Sequence, residues 1–149
     1  MHQTKRNKKL IIITIAIIAV IVSAFILYNI VQPKMIPSSI ILNLGNVPDG
    51  STARVYIEDF AVLTLPLKSK LYFEYAVNAI GSKDFNVRLC IYPIDNYDLE
   101  FPVVLRKNRP VHSITLEKGT YEIGEVKVAW GEAATNVTIT ITLKNWEFA

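Results

Sequence analysis

The residues able to do chemistry are few, and their spacing excludes most of what they could do. The 149-residue chain has one cysteine, Cys90, and two histidines, of which only His112 lies beyond the first ten residues. A copper electron-transfer site needs two His, one Cys and usually a weak axial Met, with the second His shortly after the Cys. Here Ile91, Tyr92, Pro93, Ile94 and Asp95 follow Cys90, and Met35 is the only methionine after the first residue. Zinc lacks ligands for the same reason. No Gly-x-Ser-x-Gly elbow is present, and a Ser–His arrangement would depend on His112 with no evident orienting partner. The carboxylates are scattered and no pair suggests the convergence a glycosidase requires. The densest oxygen cluster is Asp95, Asp98 and Glu100, a weak candidate loop for Ca²⁺, which accepts irregular oxygen cages. That stretch lacks EF-hand spacing, so a solvated acidic loop is the simpler reading. No catalytic residue, cofactor or small-molecule substrate is expected.

Three further features invite a role. Arg106, Lys107, Asn108 and Arg109 form a basic knot in what reads as a long connection, suited to anionic headgroups or acidic glycans or simply to solvent. Asn136-Val137-Thr138 is an N-x-[ST] sequon, so Asn136 is a possible glycosylation site if exported. Cys90 has the opposite parity to Phe85, Val87, Leu89 and Ile91, which makes it either an accessible thiol or one tucked beneath a loop.

The elements that carry these residues divide sharply. From residue 10 to residue 31 there is no charge, and at ~1.5 Å per residue this run reaches roughly 33 Å, enough for a hydrocarbon core. Lys5, Arg6, Lys8 and Lys9 precede it without an acid, while the other twelve Lys and Arg face all thirteen Asp and Glu. The basic excess therefore sits beside the apolar run. This argues against nucleic acid as a partner, and by the positive-inside rule it keeps the tail cytoplasmic and the C-terminal domain extracellular at the cell membrane. A cleaved signal peptide is the rival; its apolar region is usually only about 7–15 residues, and cutting near Val22-Ser23-Ala24 would leave an exposed apolar end. The expected organisation is a basic tail over 1–9, a signal-anchor helix over 10–32, a short linker over 33–37 and a domain over 38–149. The bilayer is one partner, and a membrane protein packed against Thr14, Ala16, Ala19, Ser23 and Ala24 is a second.

Beyond Pro37 the hydrophobic period becomes two. Ile40, Leu42 and Leu44 alternate, and a turn follows over 45–50. Val55 and Ile57, then Phe60 and Val62, lie on opposite parities across a break at Glu58 and Asp59. Leu71, Phe73, Tyr75, Val77 and Ala79 form one face; Phe85, Val87, Leu89 and Ile91 form another. Ile114 and Leu116 lead through Glu117, Lys118 and a left-handed Gly119 into Tyr121 and Ile123, a pattern that reads as a hairpin, with a bulge near Gly124 before Val126, Val128 and Trp130. Val137, Ile139, Ile141 and Leu143 alternate with threonines to the end. The expected fold is all-β: an antiparallel β-sandwich of seven to eight strands, Ig-like or jelly-roll-like, with only one Cys and so no internal disulfide.

Residues 60–77 (an apolar strand, Pro66, then Leu71-Tyr72-Phe73-Glu74-Tyr75), 84–95, and Ile114-Thr115-Leu116-Glu117-Lys118-Gly119-Thr120-Tyr121 are arranged in a way that resembles GOLD-type and pre-peptidase C-terminal β-sandwiches. The similarity covers most of 55–143. Cargo-receptor members of the GOLD group carry a C-terminal membrane helix and a coiled coil, which this pattern does not share, so cargo sorting does not transfer. The resemblance implies an ancillary or binding module rather than an enzyme. The expected function is therefore a non-catalytic, membrane-anchored extracytoplasmic binding or assembly module. Its alternatives are a small accessory subunit of a membrane complex and an enzyme whose site the sequence hides.

Overall fold

A computed structural model describes residues 2–149, and describes side chains except over 2–6 and 54–60. Lys5 and Arg6, and the side chains of Val55, Ile57, Glu58, Asp59 and Phe60, thus lie outside the described side chains. The chain divides into two units, Met1–Gln32 and Pro33–Ala149. The first is a single helix, α1 (His2–Val31), of 30 residues. Its span Asn7–Val31 has a mean hydropathy of 3.3 and is long and apolar enough to cross a membrane or to serve as a signal sequence. Its Ile and Val side chains stand exposed on every face, as they must in a helix with no stripe of polar residues. Two polar side chains turn back on their own helix: Thr14 Oγ1 donates to the Leu10 carbonyl at 2.9 Å and Asn29 Nδ2 to that of Phe25 at 2.8 Å.

The second unit is an antiparallel β-sandwich. Its strands are β1 (Lys34–Ile36), β2 (Ser39–Val47), β3 (Ser51–Leu65), β4 (Ser69–Gly81), β5 (Phe85–Pro93), β6 (Phe101–Leu105), β7 (Val111–Leu116), β8 (Gly119–Trp130) and β9 (Ala134–Phe148). One sheet runs β1-β3-β8-β5-β6 and the other β2-β9-β4-β7. The pairings are nested: β5 with β6, β4 with β7, β3 with β8 and β2 with β9, in alternate sheets. That is the jelly-roll order, a long double strand folded over so that successive turns fall on opposite layers.

The alternating side chains meet between the layers. Phe85, Val87, Leu89 and Ile91 from β5 are fully buried, as are Leu71 and Phe73 from β4 and Ile139 and Ile141 from β9. Ser69 is buried among apolar side chains and donates to the Leu67 carbonyl at 2.9 Å. Tyr75 crosses from β4 to give its hydroxyl proton to the Phe85 carbonyl at 2.9 Å, satisfying a group that burial would otherwise leave costly. Gly124 bulges as the parity switch requires, since Glu125 pairs with Cys90 and Ile123 with Ile91. The β3 register shifts between Tyr56 and Ala61, where the sequence places its break.

Three expectations are corrected. Residues 33–37 are not a linker: Lys34–Ile36 is an edge strand, Met35 is buried in the core and Pro33 is buried too. Three residues are too few for a period-two signal to register. Phe101–Leu105 is a strand within what reads as a long connection. Phe101, Val103 and Leu105 do alternate, but Pro102 argues against a strand anywhere except at an edge, and β6 is an edge. Finally, β7 and β8 do not form a hairpin: they lie in different sheets, and Gly119 has no positive φ. The left-handed glycines are Gly45, Gly50 and Gly81, with Gly50 donating across to the Gly131 carbonyl at 2.8 Å.

Because β9 lies between β2 and β4 with Ile139 and Ile141 fully buried, Ile139→Ala and Ile141→Ala are each expected to cost about 2–5 kcal/mol. Thr140, half-buried on the outer face, is expected to change stability by roughly 0.5 kcal/mol or less on replacement by Ala. Denaturant midpoints of the three full-length variants check this. A Thr140→Ala cost equal to its neighbours' would mean that the threonine face is covered.

Candidate functional site

The outer face of the five-stranded sheet carries a group of charged residues on neighbouring strands. Strand alternation that sends Phe85, Val87 and Leu89 inward sends Asn86, Arg88 and Tyr92 outward. Direct cross-strand pairing puts Arg54, Lys127, Arg88 and Val104 in one row across β3, β8, β5 and β6. The next row places Thr52, Ala129 and Asn86 side by side. Small residues there leave an open groove of about 460 Å³, bordered by Thr52, Asn86, Arg88, Val104, Arg106 and Lys127.

Below the groove lies a polar cluster. Arg88 donates through Nη2 at 2.7 Å and Nε at 3.1 Å to Glu100 Oε1. Lys127 Nζ stands 4.0 Å from Glu125 Oε2, at the outer limit of an ion pair. Cys90 has no solvent exposure despite its outward parity, and interacts with Glu100, Tyr92 and Lys127. Burial first, then its hydrogen bond to Glu100, pushes the Cys90 thiol up from its ordinary value. The same burial, with the charges of Cys90 and Glu100, pushes Tyr92 up to about 12. Burial also acts to raise Glu100, but hydrogen bonds from Arg88 and Cys90 outweigh it and hold the carboxyl below its usual range. A thiol that is both shielded and harder to ionise is a poor nucleophile.

The three oxygen residues of the acidic loop do not converge. Glu100 turns to Arg88, and Asp95 and Asp98 remain exposed, with the backbone N–H of Asp98 donating to Asn96 Oδ1 at 3.2 Å. Among the described residues no group of three His, Cys, Asp or Glu could hold a metal ion. The basic knot is a tight turn: the Arg106 and Arg109 backbones exchange hydrogen bonds of 3.1 and 2.9 Å, leaving Lys107 and Asn108 at the tip. His112 Nδ1 lies 3.0 Å from the Val104 nitrogen and 2.8 Å from its oxygen, which ties β7 to β6 across the edge of the sandwich. Asn136 is exposed at the start of β9 with φ of 52°, a left-handed conformation that Asn tolerates.

The basic run 106–109 is visible in the sequence, but its proximity to Arg88 and Lys127 is not. The signal available was their outward parity on β5 and β8; what the sequence lacked was the knowledge that those strands are neighbours. Comparison with family models, curated proteins and solved structures finds no match.

The lowered Glu100 carboxyl carries a pH consequence. A carboxyl depressed in the folded state contributes stability that is present above its unfolded value, near 4.5, and lost as pH falls through the lower folded value. Arg88→Met removes the principal depressing contact. The acid limb of its stability profile is expected to move to higher pH than that of the parent, read as urea midpoints from neutrality down to about pH 3. Superimposable profiles would show that the Arg88–Glu100 contact has no hold on the carboxyl.

Proposed function

We propose that the protein is a single-pass protein of the cell membrane, with residues 1–9 cytoplasmic, α1 spanning the bilayer and the sandwich outside as a non-catalytic binding or assembly module. The observation that carries this reading is covalent. The uncharged run over 10–31, beside an isolated basic cluster, leads through Gln32 and Pro33 alone into the first strand of a folded domain. Cleavage within the span would leave an apolar end attached to β1, which supports an anchor over a removed signal. The groove on the outer sheet face supports binding, because it is open and lined by side chains that donate hydrogen bonds. The non-catalytic assignment is supported by the fixed positions of the reactive groups: Cys90 is shielded, Glu100 is held by Arg88, and His112 is bonded to backbone.

The alternative, a small accessory subunit, draws on Ala16, Ala19 and Ser23, which share one face of α1. Copurification in mild detergent of a stoichiometric membrane partner would favour it.

Protease added to intact cells is expected to remove the β-sandwich and spare the basic tail. A fully protected sandwich would reverse the topology and end the extracytoplasmic assignment.

A further inference from the structure

We infer that the groove on the outer face of the five-stranded sheet binds an acidic polysaccharide, through Arg106, Lys127 and Arg88. The inference deepens the binding-module reading by naming a ligand class.

Three observations carry it. First, the cations are spaced for a repeating charge. Arg88 and Lys127 are direct cross-strand neighbours, with Cβ atoms about 5 Å apart in such pairs, and Arg106 sits two residues beyond Val104, the partner of Arg88, at a diagonal of roughly 7–8 Å. Second, the track has charge to spare beyond Arg88, which Glu100 holds at 2.7 Å. No carboxylate among the described residues pairs with Arg106, Lys107 or Arg109, and Lys127 is only loosely held by Glu125. Arg106 also borders two more depressions, one shared with Lys107, Asn108 and the acidic Asp84 and one with Arg109 and His112, so a track in which cations outnumber carboxylates continues past the groove. Third, amide and hydroxyl groups alternate with the charges: Thr52 and Asn86 in the groove, Asn108 beyond it. A chain bearing both hydroxyls and one anion per repeat matches that mixture, whereas a lipid headgroup layer asks only for charge.

Position separates the groove from the point where the chain enters the sandwich. Lys34 pairs with Thr64, which pairs with Thr120; the groove lies at Ala129, nine residues along β8, or about 30 Å at strand rise. A ligand reached there is presented at the opposite end of the sheet from Pro33.

The test uses the full chain in zwitterionic nanodiscs and polygalacturonate as the probe, with dextran, poly-glutamate and phosphatidylglycerol vesicles in parallel. Polygalacturonate is expected to bind with a salt-sensitive affinity that dextran and poly-glutamate do not match. Reversing two charges, Arg106→Glu with Lys127→Glu, is expected to weaken it at least about tenfold. The same two reversals at Lys34 and Lys118, exposed residues at the far end, are expected to leave it within about twofold. Unchanged thermal midpoints show that both variants fold. Equal loss in the control variant, no preference over dextran, or stronger binding to poly-glutamate or to the vesicles would overturn the assignment, the last two by giving the groove to an acidic protein or a lipid surface. Binding in nanodiscs does not depend on topology in cells, so failure here leaves the membrane placement standing, and a reversed topology leaves the ligand chemistry standing.

Discussion

No internal disulfide ties the two sheets, because Cys90 is the lone cysteine, so every strand must hold its place by burying one face against the other layer. That single requirement organises the domain. It demands period-two alternation from β4, β5, β8 and β9, and it tolerates a polar residue between the layers only where a partner exists, as at Ser69 and Tyr75. It also explains the bulge at Gly124: Tyr121 and Ile123 on one side and Val126 and Val128 on the other can all face inward only if one residue is left out of the ladder. Nested pairing means that the outermost partners, β2 and β9, are the furthest apart in sequence, so much of the stability lies in long-range contacts that must form late or together.

The same constraint determines what was legible in the sequence. Inward faces were, because burial writes itself into alternation: all four residues of the Phe85 to Ile91 set are fully buried, and so are the central isoleucines of β9. What alternation does not record is which sheet a strand joins. Ile114, Leu116, Tyr121 and Ile123 read as a hairpin since their turn is short, yet the turn carries the chain between layers. Edge strands were the other blind spot. Proline is compatible with an edge and hostile to an interior strand, so Pro102 masked β6, and β1 was too short to show any period.

For the site, residue types were visible and their meeting was not. Arg88, Lys127 and Arg106 are far apart in the chain and come together because β8 lies between β3 and β5 and β6 closes the edge. The outward face of a strand is free of core packing, so its residues are the ones a function can choose. Here that freedom produces a row of cations over a floor of small side chains, while Cys90 and Glu100 beneath are locked to one another and to Arg88. A helix proposed as the anchor, a self-sufficient sandwich and a charged outer face make one account: in it the helix sets where the domain is, the core keeps the sheet rigid, and the face is the proposed ligand surface.

Hydrogen exchange of the full chain in lipid nanodiscs tests that account most directly. Two slow blocks are expected, one over Asn7–Val31 where lipid excludes water from a hydrogen-bonded helix, and one over the central strands β8 and β9, with fast exchange at Gln32 between helix and sandwich. Fast exchange across the apolar span in a bilayer would contradict the anchor, and fast exchange across β8 and β9 would contradict the sandwich on which the proposed binding face depends.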